Sequence, residues 1–350
     1  MEKYVNVSIV TFNRLEYTEK CIESVLKNTD YPHVITIVDN FSQDGTRDFL
    51  KDLKSKGLIK NLVLLDENIG VAKASNIAWL LEPSSEYYLK LDNDIIIQKS
   101  PYLSPMVETI ESVPVLGAIA YNFEKVSYPL QTLNDYRIRL KHGNLGGACI
   151  LIPKRTEKLL GYWCEDYGLY GQEDLDYGIR IQLIGLLNAY MEDEQIVSNT
   201  DFDDNKEYTQ WKKEQFEKND NYTRIVNNVY GFFKGLRSLY YRSTFAERYL
   251  SIEESTSNND IQEVLNRIHS LISNKNYDEA IKEAENLLQI YPGFAFLHNY
   301  LKSLYQIKGN GIKVAYHHEQ AKLINPYIYE VPPNLADFYE LINRDSYHFH

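Results

Sequence analysis

Over the first two hundred residues, short apolar runs alternate with stretches whose apolar positions recur every three or four residues. Residues 4–10 form the first run, rich in β-branched side chains, and it ends at Thr11-Phe12-Asn13-Arg14. The spacing then changes, because Leu15, Thr18, Cys21, Ile22, Val25 and Leu26 fall on one side of a helix. A second run at 34–38 ends in Asp39-Asn40, and Asp44-Gly45-Thr46 opens a helix through Leu53. A third run at 62–65 ends in Asp66-Glu67-Asn68-Ile69-Gly70, followed by a helical pattern over 71–81. The fourth run, Tyr87-Tyr88-Leu89-Lys90-Leu91, delivers Asp92-Asn93-Asp94 before apolar residues resume at Ile95-Ile96-Ile97. Strands alternating with helices at this rhythm predict an α/β domain with a mostly parallel central sheet and crossover helices.

Polar groups follow every one of these strands at the same edge: Thr11 and Asn13, Asp39, Asn68, then Asp92 and Asp94. Open α/β sheets bind ligands outside the carboxyl ends of their strands. Side chains two apart on an extended segment point the same way, so Asp92 and Asp94 converge on one target. Like charges held together call for something positive between them, and a divalent cation bridging a diphosphate is the candidate. The plainer alternative is an Asp-Asn-Asp turn closing a hairpin. Asn13 and Asp44 also read as helix caps. Four convergences on one edge exceed what capping requires, and they mark that edge as a ligand site.

Composition narrows the classes. A chain of 350 residues favours two domains, and 44% hydrophobic with 25% charged residues is ordinary for a globular protein. A net charge of −12 argues against a nucleic-acid surface, though not against a nucleotide held by metal and backbone groups. The three cysteines, Cys21, Cys149 and Cys164, show no disulfide pattern. The chain starts directly on a strand with no leader pattern, and no apolar run approaches the roughly 20 residues of a membrane span. These features together predict a cytoplasmic protein. No G-x-G-x-x-G follows the first strand and no phosphate-binding G-x-x-x-x-G-K-[ST] occurs, which weighs against dinucleotide-binding dehydrogenases and P-loop enzymes.

Val7-Ser8-Ile9-Val10-Thr11-Phe12-Asn13-Arg14, Ile37-Val38-Asp39-Asn40-Phe41-Ser42-Gln43-Asp44-Gly45-Thr46, Glu67-Asn68-Ile69-Gly70 and Leu91-Asp92-Asn93-Asp94 stand in this order at strand ends. In order and placement the series resembles the family 2 glycosyltransferases of GT-A fold. The resemblance implies that Thr11, Asn13 and Asp39 contact the nucleotide, with Asp39 on the base. Asn68, Gly70 and Lys73 would close over base and ribose, although Lys73 equally reads as a solvated helix lysine. Asp92, beside Asn93, would hold the ribose or a metal-bound water. Asp94 would bind the Mn²⁺ or Mg²⁺ that bridges the phosphates, with Asp92 as its companion. Gly146-Gly147, before the strand at 149–152, would border the donor sugar or form a plain tight turn.

Leu169-Tyr170-Gly171-Gln172-Glu173-Asp174-Leu175-Asp176-Tyr177-Gly178-Ile179-Arg180 opens a helix with an acidic first turn, which the helix dipole favours in any case. It resembles the family's catalytic-base motif, so Asp174 is the expected base. Glu173 would contact acceptor or donor sugar, and Asp176 with Arg180 reads as a structural i,i+4 pair. Many relatives carry a metal-binding histidine after the following strand. This chain has Ser198-Asn199-Thr200-Asp201 there, so Asn199 or Asp201 would have to stand in as an oxygen donor.

The expected activity is metal-assisted, inverting transfer of a sugar from a nucleotide-diphosphate sugar (a UDP-sugar) to a protein or glycan acceptor. The alternatives are a sugar nucleotidyltransferase, or a helical-repeat adaptor carrying an inactive sugar-nucleotide domain. The first would need a glycine-rich, lysine-containing loop where Thr11-Phe12-Asn13-Arg14 stands.

The transferase domain is expected at 1–215, with connecting helices and a linker at 216–256. Within that connection, 224–250 interleaves aromatic and basic residues and reads as a helix packed between domains or as an interfacial membrane helix. Glu285-Asn286-Leu287-Leu288-Gln289-Ile290-Tyr291-Pro292 recurs as Glu319-Gln320-Ala321-Lys322-Leu323-Ile324-Asn325-Pro326, and 326 − 292 is 34. That is the tetratricopeptide period, so 257–328 is expected to form helical repeats, with a tail at 329–350. Two such repeats need support from the 224–250 segment, the catalytic domain or a second subunit.

Overall fold

The computed structural model describes residues 3–122, 128–193, 195–199, 206–233, 236–252, 260–327, 335–337 and 340. The chain begins with β1 (Val5–Thr11), α1 (Leu15–Asn28), β2 (His33–Asp39), α2 (Thr46–Ser55), β3 (Asn61–Leu64), α3 (Val71–Leu80) and β4 (Tyr87–Asp92). It continues through β5 (Ile95–Ile97), α4 (Leu103–Ser112), β6 (Leu116–Ala120), β7 (Leu130–Leu133), β8 (Tyr136–Lys141), β9 (Cys149–Pro153), α5 (Lys154–Leu160) and α6 (Glu173–Leu183). Next come β10 (Leu187–Met191), β11 (Val197–Asn199), α7 (Lys206–Lys218), α8 (Asn221–Phe233) and α9 (Thr244–Tyr249). Helices α10 (Asp260–Ser273), α11 (Tyr277–Ile290), α12 (Ala295–Ile307) and α13 (Gly311–Ile324) complete the described elements.

Nine strands form one sheet in the order β3-β2-β1-β4-β9-β6-β10-β8-β7. β3, β2, β1 and β4 pair in parallel, β9 runs against both β4 and β6, and β10 is parallel to β6. β8 opposes β10 and β7. Only β8 and β9 therefore run against the common direction, and the sheet is mostly parallel, as its alternating pattern predicts.

Alternation along β1 shows how both faces are covered. Val5, Val7 and Ile9 are buried with Cys21, Ile22 and Val25 of α1 and Leu50 of α2. Asn6 and Ser8 face the other way, where Asn6 donates to the Ala78 carbonyl at 2.9 Å and Ser8 accepts from the Tyr88 hydroxyl at 3.2 Å. On that second face Trp79 of α3 stacks on Tyr88, centroids 3.9 Å apart. Buried aromatic pairs of this kind contribute about 1 kcal/mol beyond the area they remove from water.

The 224–250 segment is not one helix. It is broken between α8 and α9, and Tyr241 runs alongside Gly161 in a parallel bridge. Ile225 and Val229 are buried against Cys164, Tyr167 and Ile179, and Ala246 against Ala74 and Ile77 of α3. Its apolar residues are thus taken up by the α/β part of the chain. No helix among the described residues is long and apolar enough to cross a membrane.

The C-terminal region is all-helical. α11 starts at Tyr277 and α13 at Gly311, 34 residues apart, which reproduces the sequence period. The helices rest on the α/β part: Ile261, Leu265 and Ile268 share a buried cluster with Leu160, Trp163 and Tyr177. Asn325 also donates to the Gly185 carbonyl at 2.6 Å. That docking supplies the support a short array lacks by itself.

Candidate active site

A cleft of about 460 Å³ opens at the carboxyl edge of the sheet. One wall carries Arg14, Asn40, Asn68, Asp92, Asn93 and Asp94, and the opposite wall carries Asn144, Gly146, Gly147, Glu173 and Asp174. Helix α7 adds Tyr208, Trp211, Lys212 and Phe216 to the lining. The two acidic constellations, far apart in sequence, therefore face one volume.

At the end of β4 the carboxylates are held by protein cations. Arg14 lies over the rings of Tyr17 and Tyr208, at 4.5 Å and 4.7 Å, and donates to Asp94 Oδ2 at 3.1 Å. Burial and the neighbouring Asp92 push the Asp94 carboxyl above its ordinary pKa, and Arg14 opposes them. Lys90 Nζ donates to Asp92 Oδ1 at 2.5 Å and also to the Gly147 carbonyl. Burial alone would lower the Lys90 pKa, but Asp92, Glu173 and Asp174 hold the ammonium above its usual range. Asn93 turns back to donate to Thr18 Oγ1 at 3.0 Å, so its amide braces the turn against α1.

The opposite wall is built by a left-handed turn. Gln172, at φ 72°, swings the chain into α6 and places Glu173 and Asp174 in its first turn, where the helix dipole favours negative charge. Asp174 accepts from the Gly147 amide at 3.0 Å, Asn144 Nδ2 at 3.2 Å and the Leu175 amide at 2.8 Å. Glu173 is buried, and its Oε2 has no hydrogen-bond partner among the described residues. Burial, then the charge of Asp174, raises its pKa to about 7 against the pull of Lys90. Gly70, at φ 91°, lets the α3 entry approach Gly168 and Leu169 so closely that no Cβ would fit.

Several expected contacts lie behind the cleft instead of in it. Asp39 is fully buried; its Oδ2 accepts from Thr11 Oγ1 at 2.8 Å and its Oδ1 from the Ser42 amide at 3.0 Å. Asn13 likewise accepts from the Gln43 amide at 2.7 Å, and Asp44, not Asn13, caps α1 through the Leu15 amide at 2.9 Å. These residues shape the 40–43 loop, whose Asn40 bonds Asn68 at 2.8 Å at the cleft wall. Lys73 is not in the cleft, since its ammonium lies 5.0 Å from the Phe245 ring centroid on the outer side of α3. Asp176 and Arg180 form a buried 2.6 Å pair, as a structural role requires. Asp201 lies outside the described residues, and Asn199 closes β11 opposite Ile95.

Lys90, Arg14 and the aromatic residues of α7 are cleft residues that the motifs do not announce. Lys90 carried a readable signal, because a lysine inside an apolar run is buried only when paired. The α7 residues carried none, as their approach depends on tertiary packing.

Among the described residues no group of three or more His, Cys, Asp or Glu side chains forms a metal cage. Asp92 and Asp94 do offer oxygen donors of the kind Mg²⁺ and Mn²⁺ take. Asp94 is a half-buried carboxylate bonded by Arg14, and a cation liganded by it, by Asp92 and by a diphosphate fits this donor set.

Residues 6–166, a little under half of the chain, match the model of Glycosyl transferase family 2. The chain's mixed, mostly parallel sheet, followed by an all-helical region, is the arrangement expected from the strand-end motifs. A 91-residue stretch is 38% identical to a putative teichuronic acid biosynthesis glycosyltransferase, TuaG, of Bacillus subtilis (strain 168). That match covers 25% of this chain and 35% of the relative, so only about a third of the relative's length is spanned. Among solved structures, S. aureus TarS 1-349 in complex with UDP matches at 15% identity and a TM-score of 0.48, over 94% of this chain and 91% of that one. The mannosyltransferase PcManGT from Pyrobaculum calidifontis, in complex with GDP-Man and Mn²⁺, matches at 15% identity and 0.48, over 93% and 86%.

Proposed function

We propose that the chain transfers a sugar from a nucleotide-diphosphate sugar, a UDP-sugar, to a protein or glycan acceptor with inversion. The observation that carries this reading is the meeting of Asp92-Asp94 and Glu173-Asp174 across one cleft in a chain whose residues 6–166 match the family 2 model. Asn68 and the 40–43 loop, braced from behind by Thr11, Asn13 and Asp39, form the nucleotide wall. Gly146 and Gly147 border the sugar.

Asp94, with Asp92 beside it, would hold Mn²⁺ or Mg²⁺. That ion would supply positive charge to the departing diphosphate. Asp174, fixed by its three donors, is placed to take the acceptor hydroxyl's proton as that oxygen attacks the anomeric carbon. A positioned base of this kind contributes about 10²- to 10⁴-fold. Glu173, beside it in the cleft lining and with a raised pKa, would contact the acceptor or the donor sugar. The aromatic residues of α7 line the cleft and would limit water, which would compete with the acceptor.

The helical hairpins, read as tetratricopeptide-like repeats, leave Ile312, Tyr316 and Leu323 exposed on α13. This exposed apolar set supports reading α13 as the face for acceptor capture or for pairing of two chains. The three free, buried cysteines fit a reducing, cytoplasmic setting.

The test is release of nucleoside diphosphate from a panel of sugar nucleotides with Mn²⁺. Release with at least one donor, lost in Asp94→Ala, is expected. No release or binding with any donor, together with an Asp94→Ala variant indistinguishable from the unmodified chain, would end this reading.

A further inference from the structure

Lys90 stands two positions before Asp92 on β4, so both side chains leave the strand on the same face. Its side chain is 6% exposed in a strand whose other residues are apolar up to Asp92. A methionine would fill similar space without the cost of desolvating an ammonium, and buried ion pairs often contribute nothing to stability over such a replacement. The charge at this position is therefore not explained by packing.

The contacts run in an unbroken line across the cleft floor. Asp92 Oδ1 accepts from Lys90 Nζ at 2.5 Å, the same ammonium donates to the Gly147 carbonyl, and the Gly147 amide donates to Asp174 Oδ2 at 3.0 Å. The fit is close, because a Cβ on Gly147 would lie 3.2 Å from both Lys90 Nζ and the Asp174 Cβ. The Asp92 amide in turn donates to the Ala148 carbonyl at 2.8 Å, so strand end and glycine loop are tied twice.

We propose that Lys90 is a positioning residue for group transfer, locking Asp174 into register with Asp92 through the Gly147 peptide. Without the ammonium, the Gly147 carbonyl loses its buried donor and the loop is free to rotate, which carries its amide away from Asp174. The base then loses one of three donors that set its direction. Displacements near 1 Å at a reacting group cost about 10²-fold in rate. This role rests on the reading of Asp174 as the base.

The test compares Lys90→Met and Lys90→Arg in the full chain by amide hydrogen exchange over residues 146–148 and by steady-state transfer kinetics. In folded Lys90→Met, Gly147 exchange is expected to rise about tenfold, and kcat to fall about a hundredfold while the donor KM stays within about threefold. Lys90→Arg, which keeps charge and donors, is expected to recover about tenfold of the loss. Unchanged Gly147 exchange, a kcat within about threefold of the unmodified chain, or a loss confined to KM would overturn the proposal. Should Lys90→Met fail to fold, Lys90→Gln is judged by the same readouts. If the unmodified chain transfers no sugar at all, the glycosyltransferase reading fails, and Gly147 exchange still decides whether Lys90 braces Asp174.

Discussion

Asp176 and the Glu173-Asp174 pair lie within four residues on α6, yet their surroundings differ in every respect that matters for chemistry. Asp176 is fully buried, with Arg180 Nε at 2.6 Å on one oxygen and the Tyr167 hydroxyl at 2.8 Å on the other. Arg180 also donates to the carbonyls of Leu160, Leu239 and Tyr162. Both Asp176 oxygens are already taken by the protein. Two residues earlier, Asp174 lines an open cleft, and Glu173 beside it carries an oxygen with no partner among the described residues and a pKa raised to about 7. Acidic residues in a first helical turn are thus not functional by type. They become candidates where the fold leaves their capacity incomplete.

The largest expected effects separate the two halves of that comparison. Asp174→Asn should lower transfer about 10³-fold, near 4 kcal/mol of barrier, while the thermal midpoint stays within a few degrees. Kinetics and a melt on the same sample check it, and a variant that loses folding as well as activity would move Asp174 into the structural class. Arg180→Ala should do the reverse. Stranding the buried Asp176 carboxylate should cost about 3 kcal/mol or more of stability, read as a lower denaturation midpoint.

Glu173→Gln gives a smaller and pH-dependent effect. The Glu173 pKa is raised in the folded chain, so its contribution to stability is fully present below its unfolded value near 4.5 and is lost as pH rises through about 7. Glutamine cannot ionise, so the variant should gain about 2 kcal/mol over the unmodified chain at pH 8 and less at pH 5. Denaturant melts at the two pH values measure this, and equal differences at both would show that Glu173 does not titrate in this range. The smallest effect is expected at Lys73. Lys73→Met should cost under about 1 kcal/mol through its contact with Phe245 and leave the donor KM unchanged. A tenfold rise in KM would instead place α3 over the bound donor.

The strands, their order of use and the acidic strand end were legible because each depends on local periodicity and on residue types with few alternatives. The i,i+4 reading of Asp176 and Arg180 held for the same reason. Asp39 shows where that legibility stops: its place at a strand end is written in the sequence. Whether its carboxylate faces ligand or its own loop depends on Thr11 and Ser42, whose approach is tertiary. Lys73 depended on α9, some 170 residues later, and the cleft's aromatic lining depended on how α7 folds back. The antiparallel β9, which separates β4 from β6, was readable as a strand but not in direction, since an apolar run carries no polarity.

The central claim is that the carboxyl edge of the sheet is a nucleotide-diphosphate site. A crystal structure of the chain with UDP and Mn²⁺ tests it most directly. The account predicts the nucleotide along the Asn40–Asn68 wall, with the ion and diphosphate at Asp94 and Asp174 facing the volume beyond them. A nucleotide bound elsewhere, or an empty cleft at saturating UDP and Mn²⁺, would contradict it.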